Sequence, residues 1–364
     1  MELSQSPITP QTKIISLLER VLEEKASDLH LTVGNPPVLR VDGQLIKMED
    51  INTLSAKDVE DLCFSLIDKE QQERLKRERE IDFAFSLENK ARFRVNFFYE
   101  KGCLAGAFRY LPQEIRTITE LGLPPIIEKF TERAQGFVLV TGPTGHGKTT
   151  TLAALIDKIN KERACHIITI EDPIEYVFLP KKAIVAQREV GTDTHSFARA
   201  LKYVLREDPD VVLVGEMRDL ESIAAALTIA ETGHLVFATL HTNSAAETID
   251  RIIDVFPPHQ QNQVRVQLSN TLLGIVSQRL IPKIGGGRVV AAEVLFANAA
   301  VRNLIREGKS YQLNNIIQTG AEENMVSLDK TLAALVRSGK ITLEDALMYA
   351  IDSKFLRRLI GGGS

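Results

Sequence analysis

The chain has 364 residues, 44% of them hydrophobic and 25% charged, which excludes the low-hydrophobicity, high-charge class of disordered chains and leaves room for about two domains. Its formal net charge of −4 argues against broad electrostatic attraction to nucleic acid or to an anionic membrane surface. The three cysteines, Cys63, Cys103 and Cys165, follow no metal-binding spacing and read as small core residues of a chain kept in a reducing cytoplasm. The opening MELSQSPITP lacks an apolar signal region, and no apolar run reaches the roughly 18 residues that span a bilayer. The expectation is a soluble, unexported protein that meets membranes only through partners.

The first third mixes helical patches, Ile14 to Glu24 and Ser55 to Arg79, with short β-like runs such as His30 to Val33 and Phe93 to Phe98. This pattern predicts a small α+β domain over residues 1–111. Residues 112–125, with Pro112, Gly122, Pro124 and Pro125, are punctuated like a linker. From Gly136 four apolar runs alternate with helical stretches: Phe137 to Val140, Ile167 to Ile170, Val211 to Val214 and Leu235 to Ala238. Strands that are apolar on both faces and separated by helices predict a parallel sheet covered on both sides, within a second domain over 126–364. From about residue 299 the pattern is helical, as in Leu328 to Val336 and Leu343 to Leu359, and the Gly361 to Ser364 end reads as a flexible tail.

Directly after the first of those strands stands Gly142-Pro143-Thr144-Gly145-His146-Gly147-Lys148-Thr149, which satisfies G-x-x-x-x-G-K-[ST] and runs through Thr150 into a helix-forming segment. Strand, loop and helix follow in the order that phosphate binding demands. The glycines let backbone N–H groups wrap the phosphates, Lys148 reaches the β and γ phosphates, and the Thr149 hydroxyl suits Mg²⁺. The side chain of His146 is expected to face solvent and to take no chemical part.

Acidic residues follow the strands at their carboxyl ends, where open α/β sheets bind ligands. Glu171 and Glu175 come after the second strand. Glu216 follows the third strand and a glycine, the place of a carboxylate that orients Mg²⁺ or polarises the attacking water, with Asp219 three residues on. After the fourth strand, His241-Thr242-Asn243 is placed to sense a γ-phosphate. ATP and Mg²⁺ are the expected ligands, with Thr149, Glu171 and Glu216 as the metal's protein partners.

Four boxes, GPTGHGKTT, TIEDPIEY, LREDPDVVLVGEMRD and TGHLVFATLHTNSA, resemble the Walker A, Asp, Walker B and His boxes of the secretion superfamily ATPases. His146 departs from that pattern, which usually has Ser there. The segment Ala26 to Leu31, with Pro36, Pro37 and Arg40 to Gly43, is similar to the openings of type IV pilus retraction ATPases, and so is Ala300-Val301-Arg302-Asn303-Leu304-Ile305-Arg306 near the end. No cysteine follows Cys165, whereas assembly and type II secretion ATPases usually carry a four-cysteine element there.

The resemblance implies a PAS-like first domain, a RecA-like P-loop core, and a homo-hexamer that hydrolyses ATP to retract pili and drive twitching motility. It further implies a platform protein as partner at the cytoplasmic face of the inner membrane. Arg94 and Arg109, fifteen residues apart, match the spacing of the family's arginine fingers, which reach nucleotide held by another subunit, with Arg92 and Arg116 close by as alternatives. An assembly or type II secretion ATPase, the accessory paralogue of the retraction ATPase and a nucleic-acid translocase are the alternative readings, the last disfavoured by net charge and by the lack of a basic-aromatic strip. In Ala300 to Lys309, Val301, Leu304 and Ile305 recur on one helix face, while Arg302 and Arg306 are neighbours on another. Two adjacent like charges there suggest an acidic partner or phosphate, and the likeness to the retraction motif implies that Arg302, Asn303 and Arg306 couple the motor to its output.

Overall fold

The computed structural model describes residues 9–361, apart from 42, 88, 89, 112 and 113. The predicted tail residues Gly362 to Ser364, the linker's Pro112 and the Asp42 of the opening motif lie outside the described residues. The chain forms two compact units, one made of residues 1–114 with 173–177, the other of 115–172 with 178–364.

In the first unit, α1 (Pro10–Glu23), α2 (Ala56–Phe64) and α3 (Lys69–Glu78) accompany strands β1 (Asp28–Leu31), β2 (Val38–Val41), β3 (Gln44–Lys47), β4 (Glu80–Leu87), β5 (Ala91–Glu100) and β6 (Cys103–Leu111). All pairings are antiparallel, in the order β3-β2-β1-β6-β5-β4. The predicted helical patch from Ser55 to Arg79 is two helices, because Ser55 and Asp68 each close a capping box at a separate start. Alternation on β5 sets the faces: Phe93, Val95 and Phe97 are buried with Ile14, Leu18 and Phe108, while Arg94 is exposed.

In the second unit a seven-stranded sheet runs β13-β12-β7-β11-β10-β8-β9. Its strands are β7 (Gly136–Thr141), β8 (His166–Glu171), β9 (Ile184–Glu189), β10 (Val211–Val214), β11 (Leu235–Leu240), β12 (Leu272–Pro282) and β13 (Arg288–Phe296). All neighbours are parallel except β12 with β13. Every residue of β7, β10 and β11 is buried, as expected for strands covered on both faces. The covering helices are α4 (Lys148–Glu162), α5 (Phe197–Val204), α6 (Leu220–Glu231), α7 (Ala245–Asp254) and α8 (Pro258–Thr271). Beyond β13 come α9 (Ala299–Arg306), α10 (Leu313–Thr319), α11 (Leu328–Arg337), α12 (Leu343–Tyr349) and α13 (Ser353–Gly361). The stretch predicted as one helix from Leu343 to Leu359 is thus broken between α12 and α13. Asp329 of α11 accepts the N–H groups of Ile351 and Asp352 at that break, at 2.9 and 3.0 Å.

The strand order is what builds a site. In sequence β7 is followed by β8, yet in the sheet β11 and β10 lie between them, so the segments after β7, β11 and β10 emerge side by side at the carboxyl edge.

Candidate active site at the phosphate loop

Between β7 and α4 the chain makes a turn in which Gly142, Gly145 and Gly147 all take positive φ. Gly142 has φ +144°, and a Cβ there would stand 2.3 Å from the Gln278 carbonyl oxygen. Gly147 has φ +82° and directly precedes α4. The Lys148 side chain lies back along the loop, its Nζ donating to the carbonyls of Gly142 at 2.8 Å and Pro143 at 3.0 Å. Only 8% of Lys148 is exposed.

His241, just beyond β11, meets this lysine. Its Nδ1 lies 3.3 Å from Lys148 Nζ and 3.2 Å from the Thr144 hydroxyl, and its Nε2 is 2.9 Å from Glu216 Oε1. Glu216 in turn takes a two-point grip from Arg218, with Nε 2.8 Å from Oε1 and Nη2 2.9 Å from Oε2. Partial burial opposes the charge on Glu216, but the Arg218 fork and the nearby His241 and Lys148 outweigh it and hold its carboxyl below the usual range. Four of the residues singled out in the sequence, Thr144, Lys148, Glu216 and His241, therefore form one connected group, with 93 residues of chain between Lys148 and His241.

The other acidic residues have partners of their own, with Glu171 packed beside Gly215 at the neighbouring strand end. Glu171, 4% exposed, ends β8 next to β10 and accepts the Thr169 hydroxyl at 2.6 Å and the Gln187 amide at 3.3 Å. Glu175 belongs to the 173–177 segment of the first unit. Asp219 accepts the Ser222 N–H at 2.8 Å and caps α6, a structural task. Thr242 bonds Thr248, and Asn243 is held by Glu247 and Arg279 through its backbone.

His146 does not face solvent as expected. Its Nδ1 accepts the Leu280 N–H at 2.9 Å, so that nitrogen carries no proton, and its carbonyl accepts the Gln278 side chain at 2.7 Å. Burial together with Arg279, Arg288 and Lys148 keeps the imidazole's pKa below its ordinary value. β12, which holds Gln278 and Leu280, carries no motif, and its part in the site was missed; the one local signal is the polar Ser277-Gln278-Arg279 interruption of an apolar run.

Arg302 likewise departs from expectation. It is half-buried, and its guanidinium donates to the carbonyls of Ser269, Asn270 (2.8 Å) and Ala297 (3.1 Å), closing the last turn of α8. It faces those carbonyls instead of an outside partner. Asn303 and Arg306 are exposed, with Asn303 bonded to Glu307 at 2.8 Å.

The ligands expected here fit the donors present. Among the described residues no three His, Cys, Asp or Glu side chains gather into a metal-binding group. Thr149 and the carboxylates supply only oxygen, which suits Mg²⁺ held largely by phosphate and water. No described helix is long and apolar enough to cross a membrane.

The family model described as type II/IV secretion system protein matches residues 2–287. The chain is 49% identical over 333 residues to the type IV pilus retractation ATPase PilT of Pseudomonas aeruginosa, covering 92% of this chain and 96% of that protein. It is 40% identical to the type IV pilus ATPase PilU of the same organism, over 96% of this chain and 91% of that one. The crystal structure of the pilus retraction motor PilT with bound ADP superposes with a TM-score of 0.89 at 51% identity, covering 95% of this chain and 99% of that one. The chain belongs to the type II/IV secretion system protein family.

Proposed function

We propose that this chain is an ATP-hydrolysing motor subunit that powers type IV pilus retraction and twitching motility. The observation that carries the chemistry is the contact chain Lys148–His241–Glu216 at the mouth of the phosphate loop. The pathway is supported by the 49% identity to PilT over nearly the whole of both chains.

The loop N–H groups and Lys148 would hold the β and γ phosphates, Lys148 exchanging its two carbonyl partners for phosphate oxygens. Glu216 would polarise a water for in-line attack on the γ-phosphate, and His241, bridging lysine, Thr144 and glutamate, would register whether that phosphate is present. Mg²⁺, when bound at Thr149 with Glu171 and Glu216 nearby, would neutralise charge on the phosphate oxygens. Arg94 and Arg109 are assigned as fingers that act on nucleotide held by another subunit, in a homo-hexameric ring. That ring would stand at the cytoplasmic face of the inner membrane against a platform protein, with Asn303 and Arg306 on the coupling surface.

Lys148→Ala and Glu216→Gln test the reading. The first should abolish turnover; the second should retain ATP binding and lose at least about a hundredfold in kcat. Substantial turnover by Lys148→Ala would exclude the loop as the catalytic site. Cells carrying either variant should assemble pili that do not retract.

A further inference from the structure

The phosphate loop rests on a strand that its motif does not contain. The pairing of β12 with β7 ends at Ser277 opposite Thr141, and β12 runs on beneath the loop. There Gln278, 2% exposed, uses both ends of its amide. Nε2 donates to the His146 carbonyl at 2.7 Å, and Oε1 accepts the Thr151 hydroxyl, also at 2.7 Å. One side chain thus joins the bend of the loop to the first turn of α4. The carbonyl of the same residue fills the space that Gly142 leaves open, and two residues on, Leu280 donates to His146.

A loop whose N–H groups must converge on phosphate loses conformational freedom on binding unless something has already ordered it. Gln278 is sited to do so. Its amide is buried, it touches the loop's backbone and not its lining, and both bonds span more than 120 residues of chain.

We propose that Gln278 is a positioning residue for nucleotide binding, which fixes the phosphate loop in its receptive shape before the nucleotide arrives. The inference rests on the ATPase reading of this loop. Gln278 touches none of the reacting atoms, so its loss should weaken ground state and transition state alike and appear in KM, not in kcat.

Gln278→Met keeps the length and volume and removes both bonds. Steady-state kinetics should show KM for ATP raised about tenfold with kcat within about twofold of the parent. Gln278→Glu, which keeps the acceptor for Thr151 but sets a carboxylate under the loop, should raise KM further. Thr151→Val cuts the helix-side bond alone and should raise KM by about threefold; it decides the matter if both Gln278 variants fail to fold. An unchanged KM in folded Gln278→Met, with or without a lower melting temperature, overturns the proposal and leaves the residue a packing element. A fall in kcat at constant KM overturns it too. Lys148→Ala, run in parallel, separates the two levels: if it is inactive while Gln278→Met has the parent KM, only the positioning role fails.

Discussion

Arg94 on β5 and Arg109 on β6 stand directly opposite each other in the antiparallel ladder, on the face turned away from the first unit's core. Their fifteen-residue separation in sequence is the length of a hairpin folded back at Lys101 and Gly102. Two cations opposite one another repel, and acids on either side offset this: Asp28 lies 2.9 Å from Arg109, and Asp82 is 3.9 Å from Arg94. Burial works against the Asp28 charge, but the Ser27 hydroxyl and the Arg109 guanidinium keep its carboxyl below the ordinary range.

If both arginines act across a subunit boundary, Arg94→Ala or Arg109→Ala should lower turnover by a hundredfold or more while each subunit still binds nucleotide. Adding Lys148→Ala subunits should restore part of the activity, since a mixed ring pairs an intact finger with an intact loop. Mixed rings that form and stay inactive at every ratio would return the arginines to a purely structural role.

Gly142→Ala should abolish nucleotide binding. The new methyl would meet the Gln278 carbonyl at 2.3 Å, a backbone atom that cannot swing away, at a φ of +144° that alanine does not adopt. ADP should then give no rise in melting temperature, whereas the parent should gain stability with ligand concentration. A normal ADP shift would mean that β12 yields at this point.

The phosphate loop, Glu216 and His241 were legible because each sits where a local pattern ends: an apolar run, then a polar group at the strand's carboxyl end. Their meeting was not legible locally, since the order β7-β11-β10 is set by how the sheet assembles. Gln278, His146 and Arg302 escaped for the same reason. Each makes its defining bond to a residue 32 or more positions away, and neither periodicity nor a motif records such a pairing. Glu171 and Glu175 show the same limit: alike in sequence, one ends a buried strand and the other belongs to the first unit, a difference that no local pattern records.

Glu293 on β13 predicts a pH dependence. It is 2% exposed and accepts the Ala245 N–H at 2.9 Å, where α7 begins after the His241 loop. Burial, and then nearby Asp329, push its carboxyl up to about 7, against the help of the Ala245 N–H and Arg279. The folded chain therefore holds a proton that the unfolded chain releases near the ordinary glutamate value. Stability should fall as pH rises from about 4.5 to about 7 and remain lower above that. Glu293→Gln keeps the acceptor and cannot ionise. It should gain up to about 3 kcal/mol at pH 8.5 and nothing at pH 4.5, as read from denaturant midpoints. An equal gain at both pH values would trace the effect to packing.

Arg302 and Arg306 should part company when mutated. Arg302 answers the carbonyls of Ser269 and Asn270 at the end of α8 with a positive charge, at the pole of the helix dipole that favours a cation. Burial and the neighbouring Arg306 lower its pKa, so the position costs it hydration that the three carbonyls offset. Arg302→Ala would leave those carbonyls without their partner, and should destabilise the second unit by roughly 1–3 kcal/mol. Arg306, exposed on the same helix, should change stability by less than about 0.5 kcal/mol when replaced by Ala. If Asn303 and Arg306 form the coupling surface, the pair Asn303→Ala with Arg306→Ala should keep the ring and its ATPase rate while pili fail to retract. Normal retraction by that double variant would remove this face of α9 from the transmission of force, and loss of the ring would make it an assembly contact instead.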